Sequence, residues 1–243
     1  MIGSLYFPYV DGEFFPSAIH ELVNRAPVIP TISGVVDKEA AIFGSTLSYL
    51  LKTLLKIANG ISNLYPLLDE FYVNQSALPR DSSFFLRQQV NIASDITFVV
   101  PAFQEAIDKL RSKWPVYLYI ESHYSLSPQR NQIPIKGCFH ANELFYLFGT
   151  SSPFPVAMDK ADKKFKKNLI EGFTSFVKDR TPKISGTSWE AIGENDHFKY
   201  MSLNSTSKMK SGFFEDRVNF WTKEVVGKVN LEELETLLPQ CST

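Results

Sequence analysis

Two cysteines in 243 residues, Cys138 and Cys241, are too few for a disulfide framework, and neither lies in a Cys-x-x-Cys or His-rich pattern. That excludes a disulfide-stapled scaffold and offers no cysteine-based ligand set, so no metal is expected. An excess of charge of one sign is lacking too. With 25 basic and 26 acidic residues and a pI near 6.4, nothing marks a nucleic-acid or anionic-membrane partner. The N-terminal stretch Met1 to Pro8 has no basic flank, and Asp11 and Glu13 end its apolar run before it could act as a signal peptide or span a bilayer. Taken literally, such a chain stays in the cytosol. The sequence also lacks any Gly-x-Ser-x-Gly, the elbow that raises a serine nucleophile between strand and helix: Gly186-Thr187-Ser188 runs on into Trp189-Glu190, and Gly60-Ile61-Ser62 into Asn63-Leu64.

What is present is enough for a substantial core. Apolar residues make up 44% of the chain and aromatics 14%, and the length allows one or two domains. The most informative stretch is Pro115 to Gly149. Val116, Tyr117, Leu118, Tyr119 and Ile120 form an unbroken β-branched, aromatic and apolar run, the pattern of a strand buried on both faces, with a strand expected over Val116 to Ser122. A polar connection with Pro128 and Pro134 follows, then Gly137-Cys138-Phe139-His140-Ala141-Asn142-Glu143-Leu144, then the aromatic run Phe145, Tyr146, Phe148. A buried strand that delivers a histidine in a loop ahead of a short apolar helix is the layout that presents a general base at a sheet edge.

Elsewhere the chain alternates helical and strand patterns. Ile19, Leu22 and Val23 set a helical period between Pro16 and Arg25, and Val28 to Val36 reads as a buried strand entered through a proline-rich turn. Asp37-Lys38-Glu39-Ala40 ends it, and Ala41 to Ile57 reads as an apolar helix. Ile61 to Arg111 is helical with breaks at Asn59-Gly60 and Leu78-Pro79; Asp95 is a plausible cap and Pro101 a kink or restart of the helix before the key strand. Asp159 to Lys178 is an amphipathic helix whose lysines form a solvated outer face, and His197 to Leu203 reads as a short strand.

The segment Gly-x-x-His-Ala-x-Glu-Leu-x-Tyr-Leu-Phe behind the strand VYLYIESH resembles the catalytic-histidine segment of the type-B carboxylesterases, the α/β-hydrolase family that includes cholinesterases and neuroligins. Ala141 stands where that family often has Gly. Gly34-Val35-Val36-Asp37-Lys38-Glu39 is similar to the family's acid segment, Tyr9 to Pro16 to its P-x-x-D-G-x-F-x-P stretch, and Arg217, Phe220 and Trp221 to its closing R-x-x-F-W. Phe176 to Pro182 departs from the family's F-A-x-x-G-x-P. The resemblance runs from about Tyr9 to Trp221.

It implies an α/β fold: the C-terminal portion of an α/β-hydrolase, with a few mostly parallel strands and many helices, residues 1 to 243 being a partial type-B domain without its nucleophile half. It also implies that His140 is the base and Glu39 the acid of a Ser-Glu-His triad, the acid preceding the base by 101 residues in the family's order. The implied substrate is a small-molecule carboxylic ester, with no cofactor. A chain holding acid and base without a nucleophile is expected to be inactive alone and to self-associate through an exposed sheet edge. The alternatives are a non-catalytic esterase-like binding or adhesion module and an unrelated α+β protein. Family members usually enter the secretory route, where the sequons at Asn74 and Asn204 would matter.

Four further residues have ordinary readings. Cys138 reads as a buried inert thiol rather than a nucleophile, because the His140 ring would have to fold back past Phe139 to reach it. Glu143 reads as a local cap or pairing carboxylate, and His20 and His123 as structural or exposed.

Overall fold

In a computed structural model, which describes residues 10–43, 63–125, 135–149, 158–184 and 186–229, the described strands are β1 (Thr31–Val36), β2 (Val116–Glu121), β3 (Lys183–Ile184), β4 (Thr187–Ser188), β5 (Tyr200–Leu203) and β6 (Lys208–Lys210). Four of them form one sheet in the order β1-β2-β5-β6, and β3 and β4 make a separate two-stranded ribbon. β1, β2 and β5 are parallel, and β6 is antiparallel to β5. Parallel strands need covered faces, and the helices supply the cover.

β2 lies inside the sheet, and its alternate residues face opposite layers. Val116, Leu118 and Ile120 pack with Phe103 and Ala106 of the helix Val100–Arg111. Tyr117 and Tyr119 turn the other way, into the cluster of Phe165, Leu169, Tyr146 and Met201 under the helix Lys160–Asp179. That long helix opens with a capping box: Asp159 Oδ1 accepts from Asp162 N at 2.8 Å, and Asp162 Oδ2 accepts from Asp159 N at 3.0 Å.

β1 differs from the expectation. The strand begins at Thr31 rather than Val28, because Pro27 and Pro30 remove backbone donors just ahead of it. It is also an edge strand of the described sheet, so only Val35 and Val36 are buried while Val28 and Ile29 stand 58% and 54% exposed. Gly34 is required by its partner. A Cβ there would lie 2.4 Å from the ring of Tyr119, which crosses β1 at that level. β2 stops one residue before Ser122, though Ser122 N still donates to Leu203 O at 3.0 Å.

The crossover from β1 to β2 is largely helical where it is described, with an irregular stretch at residues 75–83. A short 3-10 turn, Glu39–Phe43, follows β1, and the remainder of the helix expected to Ile57 lies outside the described residues. The helices Phe84–Ser94 and Val100–Arg111 are joined without a break by a π turn at Asp95–Val99, with Pro101 in the first turn of the second. Asp95 is therefore not a cap. It is fully buried and serves as an ionic anchor, taking Arg217 Nε on Oδ2 at 2.7 Å and Tyr72 OH at 2.5 Å, with Trp221 Nε1 donating to Tyr72 OH at 2.6 Å. The C-terminal Arg217, Phe220 and Trp221 thus latch onto the crossover helices.

Removing Arg217 leaves an uncompensated carboxylate in the core. Arg217→Met is expected to cost about 3–5 kcal/mol, read as a lower urea midpoint at unchanged slope. A loss below about 1 kcal/mol would show that the anchor behaves like an exposed ion pair.

Candidate functional site

The end of β1 and the loop beyond β2 meet at one place. After Val36 the chain turns through Asp37 and Lys38 into the Glu39–Phe43 turn, and the later loop brings Cys138, Phe139 and His140 alongside it. Backbone bonds tie the two: Lys38 N to Cys138 O at 2.9 Å, and His140 N to Glu39 O at 3.2 Å. Asp37 Oδ1 adds a bond from Cys138 N at 2.7 Å. Ala40 and Ala41 from one side and Ile135 and Phe139 from the other pack on Val90 and Ala93, so apolar contacts set the spacing that the hydrogen bonds refine.

Glu39 is 4% exposed and uses both carboxylate oxygens. Oε1 accepts from Val36 N at 2.8 Å, and Oε2 lies 2.8 Å from His140 Nδ1. The structure thus brings together the two residues singled out in the sequence. The His140 side chain is 47% exposed and leans on Phe98, ring centroids 4.7 Å apart, with Phe43 at 6.5 Å. His140 Nε2 has no hydrogen-bond partner among the described residues. The ring lines an open cavity of about 300 Å³ shared with Gly34, Glu39, Phe98, Tyr119 and Glu143.

Ala141, next to His140, has φ 64°, in the left-handed region. Glycine adopts that region freely and alanine at a cost, which explains the residue type common at this position in the resembling family. The helix Asn142–Phe148 starts directly after it.

The hydrogen bond to Glu39 raises the pKa of His140 above 6.5, partial burial opposes this, and the charges of Glu39 and Glu143 add to it. Glu143, in the first turn of the helix Asn142–Phe148, lines the same cavity; burial and the charge of Glu39 push its pKa up against a hydrogen bond from its own backbone N–H, a local pairing as expected. Cys138 is fully buried, its thiol pushed far up by burial, and its Sγ donates to Glu121 Oε1 at 3.2 Å. It is an inert thiol. His20 is exposed. His123 is buried, its Nε2 2.7 Å from Asp162 Oδ1 and its ring stacked on Phe165 at 4.4 Å. Phe98, Glu121 and Asn142 were not singled out in the sequence. The one available signal among them was a glutamate closing an otherwise apolar central strand.

Among the described residues no group of three or more His, Cys, Asp or Glu is placed to hold a metal. No described helix is long and apolar enough to cross a membrane.

A mostly parallel sheet covered by helices on both faces, with an acid turn and a histidine loop beyond the ends of its first two strands, defines an α/β-hydrolase architecture. The solved structure of a carboxylesterase from Geobacillus stearothermophilus matches it with a TM-score of 0.71 at 18% identity, over 90% of this chain and 46% of that one. The chain belongs to the carboxylesterase family, whose model matches residues 3–221. Among curated relatives, gut esterase 1 of Caenorhabditis briggsae is 26% identical over 88% of this chain and 44% of its own length. Gut esterase 1 of Caenorhabditis elegans is 26% identical over 89% and 44%, and bile salt-activated lipase of Rattus norvegicus 24% identical over 89% and 39%. The chain spans less than half the length of these relatives.

A histidine with a raised folded-state pKa stabilises the fold through its charged form. That contribution is fully present below the unfolded value of 6.5 and is lost as pH rises through the folded pKa. Glu39→Gln should therefore lose more stability just below pH 6.5 than at pH values above the folded pKa, in denaturant titrations run across that range. A difference that stays constant or grows with pH would contradict the pairing.

Proposed function

We propose that Glu39 and His140 are the acid and the general base of a Ser-Glu-His triad for carboxylic ester hydrolysis. On this reading residues 1–243 are the C-terminal portion of a carboxylesterase-type domain, and the serine nucleophile is not among them. The observation that carries the proposal is the 2.8 Å contact between Glu39 Oε2 and His140 Nδ1 beside an open cavity. It keeps the Nδ1 proton on the Glu39 side and leaves Nε2 to act on a nucleophile.

In the reaction a serine oxygen attacks the ester carbonyl while His140 Nε2 takes its proton, and the same proton then leaves with the alcohol. The acyl-serine is hydrolysed by a water that His140 activates in turn. Glu39 holds the tautomer and offsets the positive charge that the ring gains in each step. Because only the neutral ring accepts a proton, the raised pKa predicts a rate that climbs with pH through that value. No cofactor enters. Loss of a triad nucleophile costs on the order of a million-fold in turnover, so the chain alone is proposed to be inactive. A purely binding relative has no chemical need for both Glu39 and His140, which favours the hydrolytic reading over an adhesion module.

The free side of β1 carries a second part of the proposal. No described strand covers it, and Val28 and Ile29 extend an exposed apolar margin beside it. Such an edge pairs with whatever strand it meets, so the isolated chain is proposed to self-associate. Sedimentation velocity should show concentration-dependent oligomers, reduced by Val28→Lys with Ile29→Lys. A monodisperse monomer would contradict this.

For activity, the purified chain should turn over nitrophenyl acetate no faster than its His140→Ala variant, and an organophosphate probe should leave its mass unchanged. Labelling of one serine, abolished by His140→Ala, would show that the chain carries its own nucleophile.

A further inference from the structure

Glu121 closes β2 and is wholly buried, an acidic residue at the end of a strand that is otherwise aliphatic and aromatic. A carboxylate in that position must be hydrogen-bonded to be tolerated. Its partners are distributed unusually. Oε1 accepts from Cys138 Sγ at 3.2 Å and from Asn142 Nδ2, the residues two before and two after His140. Asn142 Nδ2 also reaches His123 O at 3.3 Å, a second hold on the end of β2. The Glu121 backbone serves the other loop: its C=O accepts from Asp37 N at 2.9 Å, and Asp37 Oδ1 in turn accepts from Cys138 N at 2.7 Å. One strand-end residue therefore touches the acid turn through its main chain and both shoulders of the histidine through its side chain.

We infer that Glu121 is a positioning residue that holds the His140 ring opposite Glu39, with Cys138 and Asn142 as its two points of attachment. The backbone between those points is what gives the clamp a task. Ala141 has φ 64°, a conformation that a non-glycine residue keeps only where its surroundings over-determine it, and it lies between His140 and the anchored Asn142. Release of Asn142 frees that peptide to relax toward an ordinary turn, which swings the imidazole away from Glu39 Oε2. Cys138 is suited to its part because burial keeps the thiol protonated and therefore a donor. Glu121 acts through Cys138 and Asn142, the residues that flank His140 in the loop.

This inference rests on the proposed triad, and the experiment separates the two. In the full 243-residue chain, proton NMR should show a low-field, exchange-protected resonance from His140 Nδ1 that disappears in Glu39→Gln. Asn142→Ala and Glu121→Ala should each lose or broaden it, whereas Glu121→Gln, which keeps an acceptor at the Oε1 position, should retain it. If Glu121→Ala fails to fold, Asn142→Ala with Cys138→Ala carries the comparison. A melting temperature that falls in these variants while the Nδ1 resonance stays unchanged would overturn the inference and make Glu121 a stabilising group only. Absence of any Glu39-dependent resonance in the unaltered chain would overturn the triad reading and this inference with it.

Discussion

The parallel pairing of β1 with β2 is the constraint from which the site follows. Thr31 opposite Val116 and Val36 opposite Glu121 make the two strands end at the same level, so the residues that follow them emerge side by side. Shifting a strand by one residue would turn every side chain to the other layer and move Gly34 away from Tyr119, whose ring leaves no room for a Cβ. The register is thus held by packing on both faces of β2, and the close approach of Glu39 to His140 is a consequence of it rather than an independent event. Residues 101 apart in sequence meet because two strands stop together.

Buried carboxylates do much of the remaining organisation, three of them at or just beyond the end of an element and Asp95 within a helical run, each joined to donors from distant parts of the chain. Glu39 joins the end of β1 to the histidine loop, Glu121 the end of β2 to the same loop, Asp95 the crossover helices to the C-terminal latch, and Asp162 a helix start to His123 and Tyr146. An ionised group in such surroundings is costly unless its oxygens are used, so each one restricts the arrangements that its partners can adopt. This explains why a site on loops can be held by geometry: the Glu39–Phe43 turn and residues 138–142 of the histidine loop are pinned between fixed polar anchors and the apolar layer of Ala40, Val90, Ala93 and Phe139.

Much of this could be read in the sequence where one physical pattern dominated. The apolar run of β2 and the periodicity of the Lys160–Asp179 helix lay where the pattern put them, while the pairing of Glu39 with His140 was implied by the family resemblance and not by a local pattern. What escaped was decided by tertiary partners. Asp95 looks like a cap locally, and only the distant Arg217 and Tyr72 make it a buried anchor within a continuous helical run. Val28 and Ile29 have the composition of a buried strand, yet the prolines beside them and the uncovered edge leave them in solvent. Glu121 and Asn142 could not be linked by spacing, since their contact depends on how a loop returns over a strand end. His123 had two ordinary readings, and its burial against Asp162 and Phe165 became visible only in three dimensions.

The hydrolytic reading depends on Glu39 being bonded to His140 in solution. The most direct measurement is a pH titration of the His140 ring carbon proton by NMR in the intact chain and in Glu39→Gln. The account predicts a midpoint above 6.5 that drops toward that value when the carboxylate is replaced. A midpoint at or below 6.5 that the substitution leaves unmoved would contradict it.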